Sequence, residues 1–355
     1  MHLKEIVENI FPTDPKWMQK ARERSASLVM PHRALGRLHE FAERICTIRE
    51  TLEPSVKNKA VLIMAGDHGV AAEGVSAYPQ EVTGAMIATF LRGGAGINAL
   101  CRHVGAEVFV TDMGIIPDTN PADFPEGHRL RVEKIARGTA NIAKEAAMRR
   151  SEAEHSLLTG FAVASEKIAG GIDVLATGDM GIGNTTPSAA LGAVFTGAPL
   201  EKLVGPGTGL DAAGVQRKRD IVRRAIEIHQ PAREDPIGVL AQLGGFEIGA
   251  IAGTLLAAAY HRRPVVVDGF ISTAGALVAN ALAPAVRDYM FAGHLSEEHG
   301  HAAMLSHLGM EPILQFGMRL GEGTGAALAL GILDASVKSF REIFTFEEAA
   351  VPDKK

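Results

Sequence analysis

The sequence predicts an α/β protein: a parallel, Rossmann-like sheet flanked by helices. Its main observation is a set of four apolar, β-branched runs, at residues 60–64, 107–111, 172–176 and 264–267. Runs that are apolar at successive positions are typical of strands buried on both faces. Stretches with helical spacing separate the runs, which favours crossover connections between parallel strands.

Each of these runs is followed within three residues by an aspartate, and the four are Asp67, Asp112, Asp179 and Asp268. The carboxyl ends of parallel strands meet at one edge of a sheet, where open α/β folds bind their ligands. Any one of these aspartates could simply cap the following helix. Together, four in register favour a shared cleft.

Helices are predicted in the intervals between strands. Residues 81–92 have helical spacing, and Asp211 can cap a helix that ends at Gln230. In residues 245–260, Gly245, Gly249 and Gly253 recur every four positions and predict a helix that packs closely against a neighbour.

The chain ends predict a second, smaller unit. Residues 1–55 are charged and strand-free, as is the region after Gly331. We expect a large α/β nucleotide-binding domain over residues 56–290, and a small helical domain formed by residues 1–55 with residues 291–355.

Composition excludes several classes of partner. The 355 residues carry a net charge of −5 with acids and bases interspersed, which argues against nucleic acid or an anionic membrane as partner. The two cysteines, Cys46 and Cys101, form no Cys-x-x-Cys motif, and no apolar run reaches the ~18 residues that span a bilayer. We expect a cytoplasmic protein that binds small molecules.

Residues 178–186 predict an anion-binding turn. Gly178, Gly181 and Gly183 surround Asp179 and precede a helix that opens at Pro187. Glycines let the backbone approach an anion, and the free N–H groups of a helix N-terminus bind it. The spacing matches neither Gly-x-Gly-x-x-Gly nor a Walker loop, and tight turns without a ligand are the alternative.

Two further glycine-rich segments carry candidate residues. In residues 318–325, Glu322 stands between glycines; burial under a ligand would make it a general base, while the alternative is an acid favoured by a helix N-terminus. Residues 205–209 precede a basic helix with Lys218, either a phosphate contact or part of a solvated basic face.

A metal site is not expected. Histidines cluster at His294, His299, His301 and His307, but they lack the helical His-Glu-x-x-His spacing and an evident carboxylate partner.

Several motifs together resemble the nicotinate-nucleotide:dimethylbenzimidazole phosphoribosyltransferases of cobalamin nucleotide-loop synthesis. They occur in the same order at residues 64–70, 74–83, 178–186, 205–209, 268–273 and 319–325. The resemblance extends over about residues 10–335 and implies a parallel α/β fold with a small helical domain from both termini.

The resemblance implies a reaction and its substrates. The phosphoribosyl group of nicotinate mononucleotide moves to 5,6-dimethylbenzimidazole or a related base, with inversion at the anomeric carbon, giving α-ribazole 5′-phosphate and nicotinate. It also implies a homodimer, and neither a cofactor nor a metal is required.

Site residues follow by position from the resemblance. Glu322 is the implied general base. Nucleotide and phosphate contacts are implied for Asp179, Gly181, Gly207, Lys218, Asp268 and Ser296. The base pocket is implied at Ser76, Tyr78, Gln80, Ala85 and Leu320.

This chain departs from the family pattern at two positions. Asp179 stands where the family often has Glu, which shortens the reach of the carboxylate. Ala85 stands where the family often has Gln. We hypothesise that the missing amide loosens selectivity among benzimidazoles and related bases.

Two other functions are compatible with parts of the sequence. A non-catalytic nucleotide-binding module would be expected to have lost Glu322, which is present here. A dinucleotide-dependent oxidoreductase would need the spaced glycines and distal acid that the sequence lacks.

Overall fold

The computed structural model describes residues 2–352 and contains one seven-stranded sheet in which all neighbouring strands are parallel. The strands are β1 (Lys59–Gly66), β2 (Ala106–Gly114), β3 (Leu130–Val132), β4 (Val174–Met180), β5 (Val265–Val267), β6 (Met290–His294) and β7 (Pro312–Leu314). The four predicted strands correspond to β1, β2, β4 and β5. The predicted α/β class is confirmed, and the sequence patterns missed the short strands β3, β6 and β7.

The strand order determines where a ligand can bind. It is β3-β2-β1-β4-β5-β6-β7, so the chain builds the sheet outward from β1 in one direction and from β4 in the other. Where two such directions diverge, the loops at the strand ends separate and leave a crevice. Asp67 follows β1 and Asp179 lies near the end of β4, so both are at this point.

Fourteen α-helices surround the sheet in the described residues. Those in the first half of the chain are α1 (Leu3–Glu8), α2 (Pro15–Ser27), α3 (Arg37–Arg49), α4 (Val82–Leu91), α5 (Gly96–Val104), α6 (Arg150–Ala169) and α7 (Thr185–Thr196). The others are α8 (Leu200–Leu203), α9 (Ala212–His229), α10 (Pro236–Leu243), α11 (Phe246–Tyr260), α12 (Phe270–Leu282), α13 (His301–Leu308) and α14 (Thr324–Glu342). Short 3-10 turns occur at Gly69–Glu73, Pro121–Asp123, Gly127–Arg129 and Pro284–Tyr289.

The predicted helices appear with the predicted ends. Asp211 caps α9 by accepting a hydrogen bond from the Gly214 amide, and Gln230 ends that helix. In α11, a Cβ atom at Gly253 would overlap the Leu157 carbonyl oxygen of α6, and one at Gly249 would overlap the Ser156 hydroxyl. The glycine stripe therefore allows α6 and α11 to pack with their backbones in close approach.

The predicted small domain was helical and included residues 291–355, but this region is not purely helical. It supplies β6 and β7 to the sheet before α14 begins. What remains helical at the chain ends is α1–α3 and α14, with a small apolar cluster of Ala21, Ala42, Cys46 and Phe340 between them. The division into two domains stays a prediction, and its outermost limits, residues 1 and 355, lie outside the described residues.

Within residues 2–352, no helix is both long and apolar enough to cross a bilayer.

Candidate active site

A cleft of about 720 Å³ opens at the carboxyl edge of the sheet, between the loops that follow β4, β5 and β6. Seven of the predicted site residues line it: Tyr78, Asp179, Gly181, Gly207, Ser296, Leu320 and Glu322. The other five, Ser76, Gln80, Ala85, Lys218 and Asp268, do not line it. The structure therefore brings most of the predicted residues into one cleft and places the rest around or beneath it.

Glu322 is buried in the cleft wall in an unusual backbone conformation. Gly321, Glu322 and Gly323 have φ angles of 80°, 64° and 91°, all in the left-handed region. Glycine adopts this region freely, but a residue with a side chain is strained there, by about 1–3 kcal/mol, and such strain is typical of functional sites.

The Glu322 carboxylate is held at one oxygen. Its Oε2 accepts a hydrogen bond of 3.2 Å from the Ile97 amide in the first turn of α5. Burial raises the pKa of Glu322 above its usual value, and the Ile97 amide opposes that rise. The result is an oriented carboxyl group of increased basicity, whose other oxygen, Oε1, is left for a substrate.

Asp268 lies beneath the site instead of on the predicted nucleotide side of the cleft. Its two oxygens accept hydrogen bonds from the amides of Gly323, at 3.2 Å, and Ala326, at 2.8 Å. Burial raises its pKa to about 8, the charge of Asp179 adds to the rise, and the backbone amides oppose it. Asp268 therefore holds the first turn of α14 and, through it, the segment that carries Glu322.

Of the four aspartates predicted to share a rim, only Asp179 lines the cleft. Asp112 is fully buried and accepts hydrogen bonds from the Gly114 and Ile115 amides and the Thr119 hydroxyl. Asp67, also fully buried, accepts one from the Ile116 amide. The predicted alignment at one edge is correct, but Asp67 and Asp112 serve the loops that follow the strands.

Asp179 lies near the end of β4, where the sheet extends in opposite directions from β1 and β4, and its carboxylate is hydrogen-bonded to one side chain. Its Oδ2 accepts a hydrogen bond of 3.0 Å from the Asn184 amide group, and a Cβ atom at Gly321 would lie 3.7 Å from the same oxygen. Burial, with the charges of Glu247 and Glu322, raises the pKa of Asp179 to about 7, against the Asn184 bond and the charge of His68. Asp179 can therefore carry either charge state near neutral pH.

A buried pair that the sequence analysis missed lies below Asp179. His68 Nε2 is 2.7 Å from Glu247 Oε1, and both side chains are within 1% of complete burial. Burial alone would lower the pKa of His68, but the Glu247 carboxylate, together with Asp67 and Asp179, raises it above the usual value. The positively charged form of His68 is therefore favoured by its three acidic neighbours.

The opposite side of the cleft carries a buried amine. Lys218 on α9 is 1% exposed, and its Nζ donates a hydrogen bond of 2.6 Å to the Thr185 hydroxyl at the start of α7. A Cβ atom at Gly207 would lie 3.1 Å from the same Nζ. Burial lowers the pKa of Lys218 to about 8, and the charge of Glu298 opposes that shift. An ammonium group next to a glycine-rich turn and a helix N-terminus is an arrangement that can bind an anion.

The predicted base pocket is only partly assembled around the cleft. Tyr78 and Leu320 are 56% and 60% exposed at its mouth. Ser76 is linked to the other side of the cleft through its 3.0 Å contact with the Thr208 hydroxyl, and Gln80 donates to the His68 carbonyl oxygen. Ala85 is exposed on α4, whose Val82 and Met86 line the cleft instead.

Further cleft residues were not predicted from the sequence. Asn184, Thr185, His294 and Arg319 line the cleft, and Arg319 donates a 3.4 Å hydrogen bond to the Gly207 carbonyl oxygen. Asn184 and Thr185 lie in the glycine-rich segment that the analysis singled out. His294 ends β6, a strand that the sequence did not predict because it contains no β-branched residue. In residues 2–352 no three His, Cys, Asp or Glu side chains are grouped so that they could hold a metal ion.

Comparisons with known proteins identify the family of the chain. A family model described as phosphoribosyltransferase matches residues 10–351. Two proteins named nicotinate-nucleotide--dimethylbenzimidazole phosphoribosyltransferase are each 49% identical to the chain. The match to the one from Desulforudis audaxviator covers 99% of both chains. The match to the one from Geobacter sulfurreducens covers 99% of this chain and 98% of that protein. The crystal structure of the enzyme of that name from Thermus thermophilus superposes with a TM-score of 0.89 at 45% identity, covering 96% of this chain and 100% of that one.

The chain therefore belongs to the nicotinate-nucleotide--dimethylbenzimidazole phosphoribosyltransferase family, as its motifs predicted.

The burial of Asp179 predicts how stability depends on pH. Its folded pKa of about 7 lies above the ordinary 3.8, so between these values the folded state binds more protons than the unfolded state. The free energy of unfolding contributed by this group therefore falls as pH rises through that window. Asp179→Asn keeps an acceptor for Asn184 but cannot ionise, so its stability relative to the parent should increase from about pH 4 to about pH 7 and then level off.

Urea unfolding of both proteins at intervals across that window measures the difference. Asp123→Asn, at an exposed aspartate in the Pro121–Asp123 turn, is the matched control. A stability difference between Asp179→Asn and the parent that does not change with pH would show that Asp179 ionises as easily in the folded protein as in the unfolded chain.

Proposed function

We propose that this protein transfers the 5-phosphoribosyl group of nicotinate mononucleotide to 5,6-dimethylbenzimidazole or a related base. The products are α-ribazole 5′-phosphate and nicotinate, in the synthesis of the cobalamin nucleotide loop. The observation that carries the proposal is the pairing, around one cleft, of a buried and oriented carboxyl group, Glu322, with a buried ammonium group, Lys218. The names of the full-length relatives support the same activity.

The proton chemistry is assigned to Glu322. As one ring nitrogen of the azole attacks the anomeric carbon, the N–H on the other nitrogen becomes acidic, and Glu322 Oε1 takes that proton. The bond from the anomeric carbon to nicotinate breaks, and its electron pair neutralises the ring nitrogen, so the leaving group needs no acid. A base with raised pKa that is already oriented by Ile97 meets this demand.

Binding of the nucleotide phosphate is assigned to the opposite side of the cleft. Lys218, with Thr185 and the backbone at Gly181 and Gly207, can supply the donors, and Ser296 adds a hydroxyl. A phosphate fixed there places the anomeric carbon at a set distance from the base pocket, which makes the attack effectively intramolecular.

Asp179 is assigned an electrostatic role. The substrate carries a positive charge on its pyridinium ring, and positive charge passes to the ribose as the glycosidic bond breaks. An ionised Asp179 in the cleft wall favours both forms, because in a buried site a nearby opposite charge is strongly stabilising. Asp268, whose oxygens are already bound to backbone amides, is assigned the placement of Glu322 instead of a nucleotide contact.

We also infer that the enzyme acts in the cytoplasm as a homodimer. Cys46 and Cys101 are free and buried, which fits a reducing compartment. Exposed apolar side chains at Tyr78, Phe316 and Leu320, which are 56%, 66% and 60% exposed, offer a surface that a second copy would cover. Sedimentation that gave the mass of a single chain at working concentration would contradict the dimer.

Two variants should separate the proton chemistry from nucleotide binding. Glu322→Gln should lower kcat by roughly 10²–10⁴ while the Kd of nicotinate mononucleotide stays unchanged, since a positioned base contributes that much to rate and not to binding.

Lys218→Met keeps an unbranched side chain but removes the charge, so it should raise the KM for the nucleotide by about tenfold or more and spare kcat. Steady-state kinetics and calorimetry give both quantities.

Matched controls remove the same charges elsewhere. Glu297→Gln neutralises an exposed carboxylate in the loop after β6, and Arg223→Gln removes a partly exposed charge from α9. Near-normal turnover in Glu322→Gln would remove that residue from the role of base, and an unchanged KM in Lys218→Met would contradict the phosphate assignment.

Base selectivity tests the departure at Ala85. Ala85 is three residues from Val82 on the same helix, so a longer side chain there would lie beside the cleft-lining face of α4. We expect the parent enzyme to use benzimidazole, dimethylbenzimidazole and adenine with similar kcat/KM, and Ala85→Gln to restrict it. Competition among the three bases, with products identified by mass, measures this, and Ala99→Gln on α5 is the control. Strict preference of the parent for dimethylbenzimidazole would count against a loosened pocket.

A further inference from the structure

We propose that His301 is a positioning residue for the phosphate subsite: its neutral imidazole ties the loop of residues 295–300 to α12, so that Ser296 faces the nucleotide. The proposal rests on the proposed function in one respect, the assignment of Ser296 to the phosphate side. His301 itself is fully buried and does not line the cleft.

The hydrogen bonds of His301 determine its tautomer. The Ser296 amide donates to Nδ1 at 2.9 Å, so Nδ1 carries no hydrogen and Nε2 must carry it. Nε2 then donates to the Thr273 hydroxyl at 2.9 Å, and that hydroxyl donates to the Gly269 carbonyl oxygen at 2.8 Å. These hydrogen bonds therefore link the loop after β6 to Gly269, the residue that precedes α12.

The same hydrogen bonds require that the His301 imidazole is uncharged. An imidazolium would present an N–H group to the Ser296 amide, and the bond would be lost. Burial, and then the neighbouring His294, lower the pKa of His301 to about 3, so the ring stays neutral at any pH at which the protein works. His301 is thus a fixed link and not a switch.

The loop that His301 holds forms part of the anion subsite. Ser296 lines the cleft, and its hydroxyl accepts a 3.3 Å hydrogen bond from the Glu298 amide. Glu298 also lines the cleft, and its charge stabilises the charged form of Lys218. His299 packs against the glycine-rich residues 205–209, since a Cβ atom at Gly205 would lie 2.8 Å from its Nδ1. A shift of this loop would therefore disturb the phosphate contacts. The loop also contacts the segment that carries Glu322, because the Glu297 amide donates to the Met318 carbonyl oxygen at 3.0 Å, but the backbone next to Glu322 is held by Asp268 through the Gly323 amide.

Three variants remove the links in a graded way. His301→Asn places an amide oxygen where Nδ1 was and keeps the Ser296 bond, but loses the bond to Thr273. Thr273→Val loses the same bond from the other side at nearly constant volume. His301→Leu loses both. The control is His307→Leu, at an exposed position on the same helix.

The measurements are the Kd of inorganic phosphate by calorimetry, and kcat and KM for each substrate. A neutral hydrogen bond contributes about threefold to tenfold to an equilibrium. His301→Asn and Thr273→Val should each raise the Kd of phosphate and the KM for nicotinate mononucleotide by about threefold, and His301→Leu by about tenfold. The KM for the base and kcat should stay within about twofold in all three.

Two results would overturn the proposal. One is an unchanged phosphate Kd in both His301→Asn and Thr273→Val, which decides the matter even if His301→Leu fails to fold. The other is a loss that affects kcat and both KM values alike, as general loosening of the protein would cause. Phosphate binding needs no turnover, so it also separates this proposal from the proposed function, whose failure would appear as absence of product in the parent enzyme.

Discussion

The interaction on which the site depends is the binding of the first turn of α14 by Asp268. This carboxylate follows β5 and accepts from the amides of Gly323 and Ala326, so it fixes α14 against the carboxyl edge of the sheet. Gly178 in β4 leaves room for the Glu322 carbonyl group, which a Cβ atom there would approach to 2.6 Å. With the following amides bound by Asp268 and its own carbonyl group packed against Gly178, Glu322 can remain in a left-handed conformation that a free loop would relax.

The cleft is electrostatically incomplete without its substrates. On one side, Asp179 and Glu322 are buried carboxyl groups whose pKa values are raised, and on the other, Lys218 is a buried amine whose pKa is lowered. Each shift means that the charged form lacks sufficient partners in the protein alone. Nicotinate mononucleotide carries the missing charges, since its pyridinium ring is positive and its phosphate negative. Under the proposed function, binding would restore charge on both sides of the cleft and would set the orientation of the nucleotide as well as its affinity.

The sequence predicted four of the strands and the glycine-rich loops because both have local signals. β1, β2, β4 and the three-residue β5 coincide with apolar runs that are followed by an aspartate, whereas β3, β6 and β7 lack that combination and appear only when neighbouring strands provide their hydrogen bonds. The positions of Glu322, Asp179 and Lys218 could be predicted from motifs. The binding of α14 by Asp268, the His68–Glu247 pair and the bond between His301 and Thr273 could not, because each joins residues distant in the chain and depends on the folded geometry. The sequence could not distinguish an aspartate that binds backbone amides from one that contacts the nucleotide, since both roles use the same carboxylate.

The shorter acid at position 179 has a definite consequence. Asp179 is bound by Asn184, five residues later in the chain, and lies against Gly321, so its carboxylate is held in the wall of the cleft. A glutamate at position 179 would place the carboxylate one methylene farther from the backbone, beyond the Asn184 side-chain amide. Because the charge of Glu322 already raises the pKa of Asp179, full ionisation of both groups is opposed, and whichever is nearer the substrate's positive charge ionises first. Under the proposed function, an Asp179 retracted into the wall would act on the ribose only through its field, and Glu322 would be the freer base. The shorter acid would then change how the two groups share their charge and would leave the proton transfer with Glu322.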